Sequence, residues 1–151
     1  MPRKIAGRDL VVRRFMEQDR EGIRGIYKDF FEEVPTQFLD EEGFFVSLLG
    51  DEVVGFVLVP YFDQPPYFEE QHFGGDVKSY CFLEELHVHH EYQHQGIGTA
   101  LTKKAIRYAR SRKADAIYTM EDNYNVIARK TYEKCGFQEH SGITRFILPL
   151  H

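Results

Sequence analysis

The sequence predicts a mixed α/β fold in which a central sheet carries helices on both faces. Short β-rich runs alternate along the chain with helical patterns of regularly spaced apolar residues. No repeat, low-complexity tract or linker divides the chain, and 151 residues with 42% hydrophobic content can bury one substantial core. We therefore expect residues 1–151 to form a single domain.

The first half of the chain predicts a strand, a helix and a hairpin. The strand covers residues 10–15, and Asp19 can cap the helix that follows it. Apolar residues at helical spacing give this helix one buried face, formed by Ile23, Ile26, Tyr27 and Phe30. The turn at Gly50 joins two β-rich runs into a hairpin. The remaining segments are a connector or short helix at 35–40, the hairpin strands at 44–49 and 53–61, and a loop at 62–78.

The second half predicts strands that alternate with two helices. A strand at 79–89 leads through a glycine turn into a long amphipathic helix, and a strand at 116–120 follows. The long helix has an apolar face made of Ile97, Leu101, Ala105, Tyr108 and Ala109. A shorter helix at 125–134 ends just before Gly136, which suits a helix C-terminus. Two final strands are expected at 137–140 and 143–148.

Composition narrows the class of protein. A net charge of −5 argues against a general nucleic-acid binder, and no apolar run approaches the ~18–20 residues of a membrane-spanning helix. The N-terminus lacks the apolar core of a secretory signal, and the two cysteines, Cys81 and Cys135, show no framework spacing. These features predict a cytoplasmic protein with reduced thiols and no membrane partner. Residues 96–114 hold six basic residues and no acid, whereas 63–91 hold seven acids and one base.

Two glycines, Gly96 and Gly98, stand where the strand at 79–89 gives way to the long helix. Main-chain amides at a helix start have no partner in the helix and favour an anion, and glycine lets a phosphate approach them closely. A Walker A loop is excluded because no lysine follows at the required place. A dinucleotide fingerprint is disfavoured because Leu101 occupies the position of its third glycine. A simple tight turn remains the alternative.

The turn has the form Gln93-x-x-Gly96-x-Gly98, which resembles the acetyl-CoA signature of the GNAT superfamily of N-acetyltransferases. A second segment, Asn125-x-x-Ala128-x-x-x-Tyr132 followed by Gly136-Phe137, is similar to another signature of that family. The resemblance covers nearly the whole chain except residues 62–78. It implies the acyl-CoA N-acyltransferase fold, with a central, mostly antiparallel sheet. It also implies direct acetyl transfer from acetyl-CoA to a primary amine in a ternary complex, without a metal.

The resemblance also assigns residues to the donor. The amides of the glycine turn would hold the diphosphate; they belong to Gln93, His94, Gln95, Gly96, Ile97, Gly98 and Thr99. The main chain of the preceding strand would hold the pantetheine and the thioester carbonyl, at Leu86, His87 and Val88. Asn125, Ala128 and Tyr132 share one helix face that would border the pantetheine arm. Tyr132 is the residue expected to protonate the leaving thiolate, although a purely packing role is the alternative.

The amine must lose a proton before it can attack, and the strand offers Glu84 and Glu85 as bases. Residues 83–88, Leu-Glu-Glu-Leu-His-Val, resemble a segment of the polyamine-acetyltransferase branch, and that match ranks Glu84 first. Strand alternation places the two carboxylates on opposite faces, so only one can face the acetyl group. His87 or a water chain is an alternative base. His87 and His89 share a strand face, but no cysteine pair lies near them, so no metal is expected.

The acceptor expected is a polyamine, another small cationic amine or a protein amino group. The alternative function is a catalytically silent acyl-CoA-binding module of the same fold, and a nucleotide-binding domain is disfavoured. No nucleic-acid partner is expected. Self-association into a homodimer through residues 137–148 is an open expectation.

Overall fold

A computed structural model describes residues 3–39, 42–66, 77–120, 126–140 and 145–151. The strands in these ranges are β1 (Lys4–Ile5), β2 (Arg8–Arg14), β3 (Phe44–Leu49), β4 (Glu52–Leu58), β5 (Tyr61–Phe62), β6 (Tyr80–Phe82), β7 (Glu85–Val88), β8 (Ala116–Met120), β9 (Gln138–His140) and β10 (Arg145–Pro149). The helices are α1 (Arg20–Ile26), α2 (Phe30–Glu33), α3 (Thr36–Leu39), α4 (Ile97–Ser111) and α5 (Val126–Lys134). Short 3-10 turns precede α1 at Glu17–Asp19 and the glycine turn at His90–Tyr92.

One sheet has the strand order β1-β2-β3-β4-β7 and is antiparallel throughout. Every residue of β3 is buried, because apolar clusters cover the sheet on both faces. Residues of α1 and α2 supply one cluster, and residues of α4 belong to the other. The hairpin predicted at Gly50 is confirmed, with Gly50 at φ +60 between β3 and β4.

The predicted first helix is wrong in its length but right in its buried face. Ile23 and Phe30 are both fully buried, yet α1 ends at Ile26 and α2 starts only at Phe30. Tyr27 adopts an extended backbone between them, with φ −137 and ψ 97. Asp19 does not cap the amides of α1; its carboxylate reaches back and accepts from the main-chain N–H of Met16, 2.8 Å away.

A second sheet has the order β5-β6-β8-β10-β9, in which only the β6–β8 pair is parallel. The mixed, mostly antiparallel α/β fold is therefore confirmed, but the predicted strand at 79–89 is divided between the two sheets. The N–H of Leu83 donates to the carbonyl of Tyr118 in β8, at 2.8 Å. The N–H of the next residue, Glu84, donates to the carbonyl of Leu58 in β4, also at 2.8 Å. The chain thus changes sheets between two adjacent residues.

The predicted strand at 53–61 is divided in the same way. β4 ends at Leu58 in the first sheet, and β5 begins at Tyr61 in the second. Pro60 lies between them, and its lack of an N–H suits a break in pairing. Residues 35–40, which were left open, contain the short helix α3.

The C-terminal elements follow the prediction closely. β8 has the expected bounds, and all five predicted apolar residues of α4 are buried. α5 ends at Lys134, and Gly136 beyond it adopts φ +97, where glycine carries no Cβ strain. β9 is the last strand of the second sheet, so dimerisation through this region stays a prediction. None of the described helices is long and apolar enough to cross a membrane.

Candidate active site

β7 and β8 belong to different sheets and share no hydrogen-bonded ladder; we call the space between them the β7–β8 gap. β7 pairs with β4 along one edge and is the last strand of its sheet. The N–H of His89 donates to the carbonyl of Val54 at 2.8 Å. Because antiparallel strands alternate their hydrogen-bonding groups, the main chain of Leu86 and Val88 points away from β4.

The three main-chain positions predicted to hold the pantetheine therefore do not all face the same way. Leu86 and Val88 lie on the open edge of β7, where a ligand could pair with them, whereas the main chain of His87 is directed toward β4. The carbonyl of Val88 already accepts from the side-chain amide of Gln93, 3.2 Å away. Gln93 thus fixes the approach from β7 to the glycine turn.

The glycine turn ends in an uncapped helix. Gly96 adopts the left-handed conformation at φ +84, and α4 begins at Ile97 without a side-chain cap or an acid in its first turn. The first main-chain bond of the helix runs from the N–H of Ala100 to the carbonyl of Gly96, at 3.0 Å. The N–H groups of Ile97, Gly98 and Thr99 therefore have no partner within α4.

The space beside the amides at the start of α4 is open because Gly98 has no side chain. A Cβ placed on Gly98 would lie 3.8 Å from Val88 Cγ2, so an alanine fits but a larger side chain would enter the space over the turn. Ile97 is 1% exposed and anchors the helix start in the core. His94 adopts φ +65, which is unusual for a residue with a side chain, while its side chain remains exposed. The residues present fit a phosphate-bearing ligand.

Arg3 also lies at this turn, a position that no sequence pattern predicts. Its guanidinium donates to the carbonyl of Gln95, and a Cβ on Gly96 would collide with it. Arg3 is exposed, and no acid within the described ranges pairs with it. A single arginine 92 positions away from its partner in the chain carries no local pattern that could reveal this contact.

Glu84 lies at the residue where the chain changes sheets, and its side chain is exposed. The packing of protein around the Glu84 carboxyl raises its pKa, and the charge of Glu85 raises it further. Among the residues with described positions, none donates a hydrogen bond or an ion pair to this carboxylate. A carboxylate with a raised pKa is a stronger base at neutral pH, provided that it is ionised.

Glu85 and His87 form a pair on the face of β7 that α1 and α2 cover. Glu85 Oε2 lies 2.6 Å from His87 Nε2, and the two side chains are 25% and 33% exposed. The His87 ring packs edge-on against Tyr27 at 5.0 Å and against Phe56 at 5.1 Å. The pairing was not foreseen, although alternation along a strand places both residues on one face.

Tyr132 and Ala128 share a face of α5, as the spacing predicts. The Tyr132 side chain is 2% exposed and its ring centroid lies 5.5 Å from Phe137 and 5.7 Å from Phe146. Ala128 is half-buried against the same core cluster. Asn125 lies outside the described residues. Packing thus fixes the ring of Tyr132, and any catalytic use of its hydroxyl depends on a ligand reaching it.

The described residues offer little support for a metal site or for a covalent route through cysteine. Within the described ranges, no group of three or more His, Cys, Asp or Glu side chains is arranged to hold a metal ion. Cys81 is buried, and Cys135 is half-buried. Burial raises the pKa of the Cys135 thiol even though Lys103 and Lys134 act in the opposite direction. A thiol with a raised pKa is a poor nucleophile, which disfavours a covalent route through it.

Comparison with known proteins agrees with this geometry. A model of the acetyltransferase (GNAT) family matches residues 9–137. A mycothiol acetyltransferase from Amycolatopsis mediterranei (strain U-32) is 31% identical over 103 residues, which are 68% of this chain and 32% of the relative. The matched region thus spans about a third of that relative's length.

Two solved structures illustrate the similarity of fold. The aminoglycoside N-acetyltransferase AAC(6')-Iy in complex with CoA aligns with a TM-score of 0.73 at 18% identity, over 91% of this chain and 93% of that one. A putative streptothricin acetyltransferase from Bacillus anthracis str. Ames, in complex with acetyl coenzyme A, aligns with a TM-score of 0.70 at 17% identity, over 94% and 100% of the two chains. At these identities the similarity is evidence for the fold alone.

Proposed function

The chain belongs to the GNAT family of acetyltransferases, and from this premise we propose that it transfers the acetyl group of acetyl-CoA to a primary amine. Direct attack in a ternary complex is the proposed route, within one domain formed by residues 1–151. One observation carries the proposal: the uncapped, acid-free start of α4 lies beside the open edge of β7. A diphosphate suits the first feature, and an extended pantetheine arm suits the second.

Different residues of the donor site would bind different parts of acetyl-CoA. The free amides of Ile97, Gly98 and Thr99 would hold the diphosphate, with the rest of the turn, from Gln93 to Gly96, shaping the approach. The main-chain groups of Leu86 and Val88 would pair with the pantetheine amides and hold the thioester carbonyl, where negative charge develops during attack. Ala128 leaves room on α5, and Asn125 would bond the pantetheine, as the family resemblance implies.

The proton balance of the reaction requires both a base and an acid. An ammonium nitrogen carries three protons and the amide product carries one, so two protons leave the nitrogen; one ends on sulfur and one in solvent. We assign Glu84 as a base because its carboxylate is ionisable, exposed and without a described partner. Tyr132 would donate a proton to the thiolate and regain one afterwards.

The acceptor proposed is a cationic amine. Glu84 immediately precedes β7 and Glu85 is its first residue, beside the β7–β8 gap, and their negative charge would favour an incoming ammonium. Similar structures include aminoglycoside acetyltransferases and a NatC complex bound to a peptide. Small polycations and protein amino groups therefore both belong in the test.

Release of free thiol from acetyl-CoA across a panel of amines tests the function. The panel contains a polyamine, an aminoglycoside, a peptide with a free N-terminus and an acetylated peptide with one internal lysine. We expect thiol release with at least one of these amines and acetyl-CoA binding by calorimetry. Binding without thiol release from any amine would instead support the silent module, and the burial of Tyr132 is the observation that favours that second candidate.

A further inference from the structure

We infer that His87 is a second proton acceptor for the amine, and that Glu85 is the positioning residue that orients its ring. The inference deepens the proposed acetyl transfer and rests on it. Glu84 alone gives the reaction one base, although two protons must leave the nitrogen. The Glu85–His87 pair is a histidine with a carboxylate behind it, which is the arrangement that an oriented general base requires.

The hydrogen bond between the two side chains fixes the tautomer of His87. Glu85 Oε2 lies 2.6 Å from His87 Nε2, and an ionised carboxylate can only accept. Nε2 therefore carries the hydrogen, and the lone pair is left on Nδ1. Positive charge that forms on the ring after Nδ1 takes a proton is stabilised by the adjacent carboxylate.

Aromatic packing holds the His87 ring on both sides. Tyr27 lies at 5.0 Å with an interplanar angle of 82°, and Phe56 lies at 5.1 Å with an angle of 32°. Tyr27 makes this contact from the extended backbone that follows α1. The His87 side chain nevertheless remains 33% exposed, so a proton can reach it.

The position of His87 on β7 places it beside the proposed reaction centre. Leu86 and Val88, its two neighbours in sequence, direct their main-chain groups to the open edge of the strand. Successive residues of a strand are about 3.3 Å apart. A thioester carbonyl held by that edge would thus lie within one or two residue steps of the His87 backbone.

Several titratable groups face His87 from the packed elements. The nearest charged group is Glu85, on the same strand, and Glu84 precedes it in the chain. β4 contributes only the uncharged ring of Phe56 to the ring contacts of His87. Tyr27 donates to Glu33 of α2, and this bond is the main reason why the pKa of Tyr27 is raised to about 12. Tyr27 is therefore neutral at the pH values of an assay, and the changes of charge near the ring come from the carboxylates and from His87 itself.

The chemical step balances without any further reactant. An N–H bond of the ammonium breaks, its electron pair stays on the nitrogen, and the proton forms a bond to His87 Nδ1. The neutral amine attacks the thioester, and Glu84 takes the second proton from the nitrogen. His87 returns its proton to solvent. Tyr132 supplies the proton that the thiolate gains, and Glu84 gives up the second proton as Tyr132 regains one through solvent, so every residue ends in its starting state.

The test compares the pH dependence of kcat/KM in the wild type, His87→Gln, Glu85→Gln and Glu85→Asp. His90→Gln is the matched control, because His90 is an exposed histidine on the same segment and outside the pair. We expect His87→Gln to lower kcat/KM by ~10²-fold at neutral pH, the lower end of the range for general bases. The slope of the acid limb should fall from about two protons to about one, and the loss should shrink as rising pH deprotonates the amine in solution.

Glu85→Gln should lower kcat/KM by about 10-fold, because the amide oxygen can accept from Nε2 but cannot stabilise the positive charge that forms on the ring. Glu85→Asp, which keeps the charge, should restore most of the loss. Acetyl-CoA affinity by calorimetry should be unchanged in every variant. If His87→Gln fails to fold, the loss in Glu85→Gln and its recovery in Glu85→Asp decide the question.

An unchanged kcat/KM at neutral pH in both His87→Gln and Glu85→Gln, in an enzyme that acetylates an amine, would overturn this inference alone. A matching loss of acetyl-CoA affinity would show that the pair supports the fold and not proton transfer. A wild-type protein that releases no thiol with any amine would instead overturn the proposed function.

Discussion

The starts of α1 and α4 differ in whether the protein places a carboxylate beside them. Before α1, the Asp19 carboxylate is 3% exposed and accepts from the main-chain N–H of Met16 and from both guanidinium nitrogens of Arg13, at 2.8–3.0 Å. Before α4, Gly96 offers no side chain, and no acid occupies the first turn. A carboxylate of the protein lies at the first start, where it bonds the turn before the helix and not the amides of α1, whereas no carboxylate of the described residues lies at the second start.

The difference indicates where ligand-binding energy is available. Unpaired N–H groups and the positive end of the helix dipole attract a negative charge at either start. At α1 that charge is internal and contributes to folding. At α4 an external phosphate can supply it, because no residue in the described part of the chain caps the amides of Ile97 to Thr99. The predictions that follow test this contrast, beginning with the largest expected effect.

Closing the open start should have the largest effect. Gly98→Trp would fill the space over the amides, and we expect acetyl-CoA binding to fall below detection by calorimetry. Gly25→Trp is a matched control, since Gly25 lies in α1 and a Cβ there meets no atom within 4 Å. Gly98→Trp protein that keeps its melting temperature and still binds acetyl-CoA would contradict the assignment of the phosphate site.

Glu84 and Asp19 extend the contrast to carboxylates, because Asp19 is fully partnered whereas no described partner binds Glu84. Glu84→Gln should lower kcat by ~10²–10⁴, the range for loss of a general base. The raised pKa of Glu84 predicts that wild-type activity falls as pH decreases through a value above the ordinary glutamate range. A pH–rate profile of the two proteins measures this; if Glu84→Gln keeps the wild-type rate, another group is the base.

Glu84→Gln should raise the stability of the protein at neutral pH although it lowers the rate of acetyl transfer. A carboxyl with a raised folded pKa binds more protons when folded than when unfolded, so its effect on stability becomes less favourable as pH rises through that window. Glu84→Gln removes this effect. We therefore expect a small rise in melting temperature at pH 7 that shrinks as pH falls toward about 3, where the carboxyl is mostly protonated in both states.

Asp19→Ala should lower stability without a direct effect on acetyl transfer. The substitution leaves Arg13 and the Met16 amide without their shared partner, and loss of one member of a buried pair costs about 3 kcal/mol. Urea unfolding measures the loss, and acetyl-CoA affinity by calorimetry is the control. A stability change below about 0.5 kcal/mol would mean that the closed start contributes little to folding.

Local patterns predicted much of this architecture. β8 and the buried face of α4 follow from apolar spacing and from the glycine that precedes the helix, so neighbouring residues carry the information. The break between Leu83 and Glu84 could not be predicted, because which neighbouring strand each residue bonds depends on the whole sheet. Arg3 at the turn and Tyr27 against His87 likewise depend on tertiary contacts.

The same locality explains the predicted site. The glycine turn and the glutamates were visible because a phosphate site and a base need particular residue types at short spacing. Which of Leu86, His87 and Val88 presents its main chain to a ligand follows only from the pairing of β7 with β4. The Glu85–His87 pair also needed coordinates, since alternation places two side chains on one face without bonding them.

Thr99→Asp sharpens the contrast most directly, because it gives the open start the kind of charge that the closed start already has. An acid in the first turn should stabilise α4 by about 0.3–1 kcal/mol through the helix dipole. The same charge repels a diphosphate, so we expect acetyl-CoA to bind about 10-fold more weakly, a difference that shrinks at high salt. Thr99→Asn separates charge from shape, and Gln18→Glu is a control that adds an acid before α1, next to the existing Asp19 carboxylate. A gain in stability together with a loss of affinity would mean that the two effects come from the same amides. If Thr99→Asp left the affinity for acetyl-CoA unchanged, the phosphates would have to be held elsewhere. A carboxylate beside these amides would repel any phosphate that is bound to them.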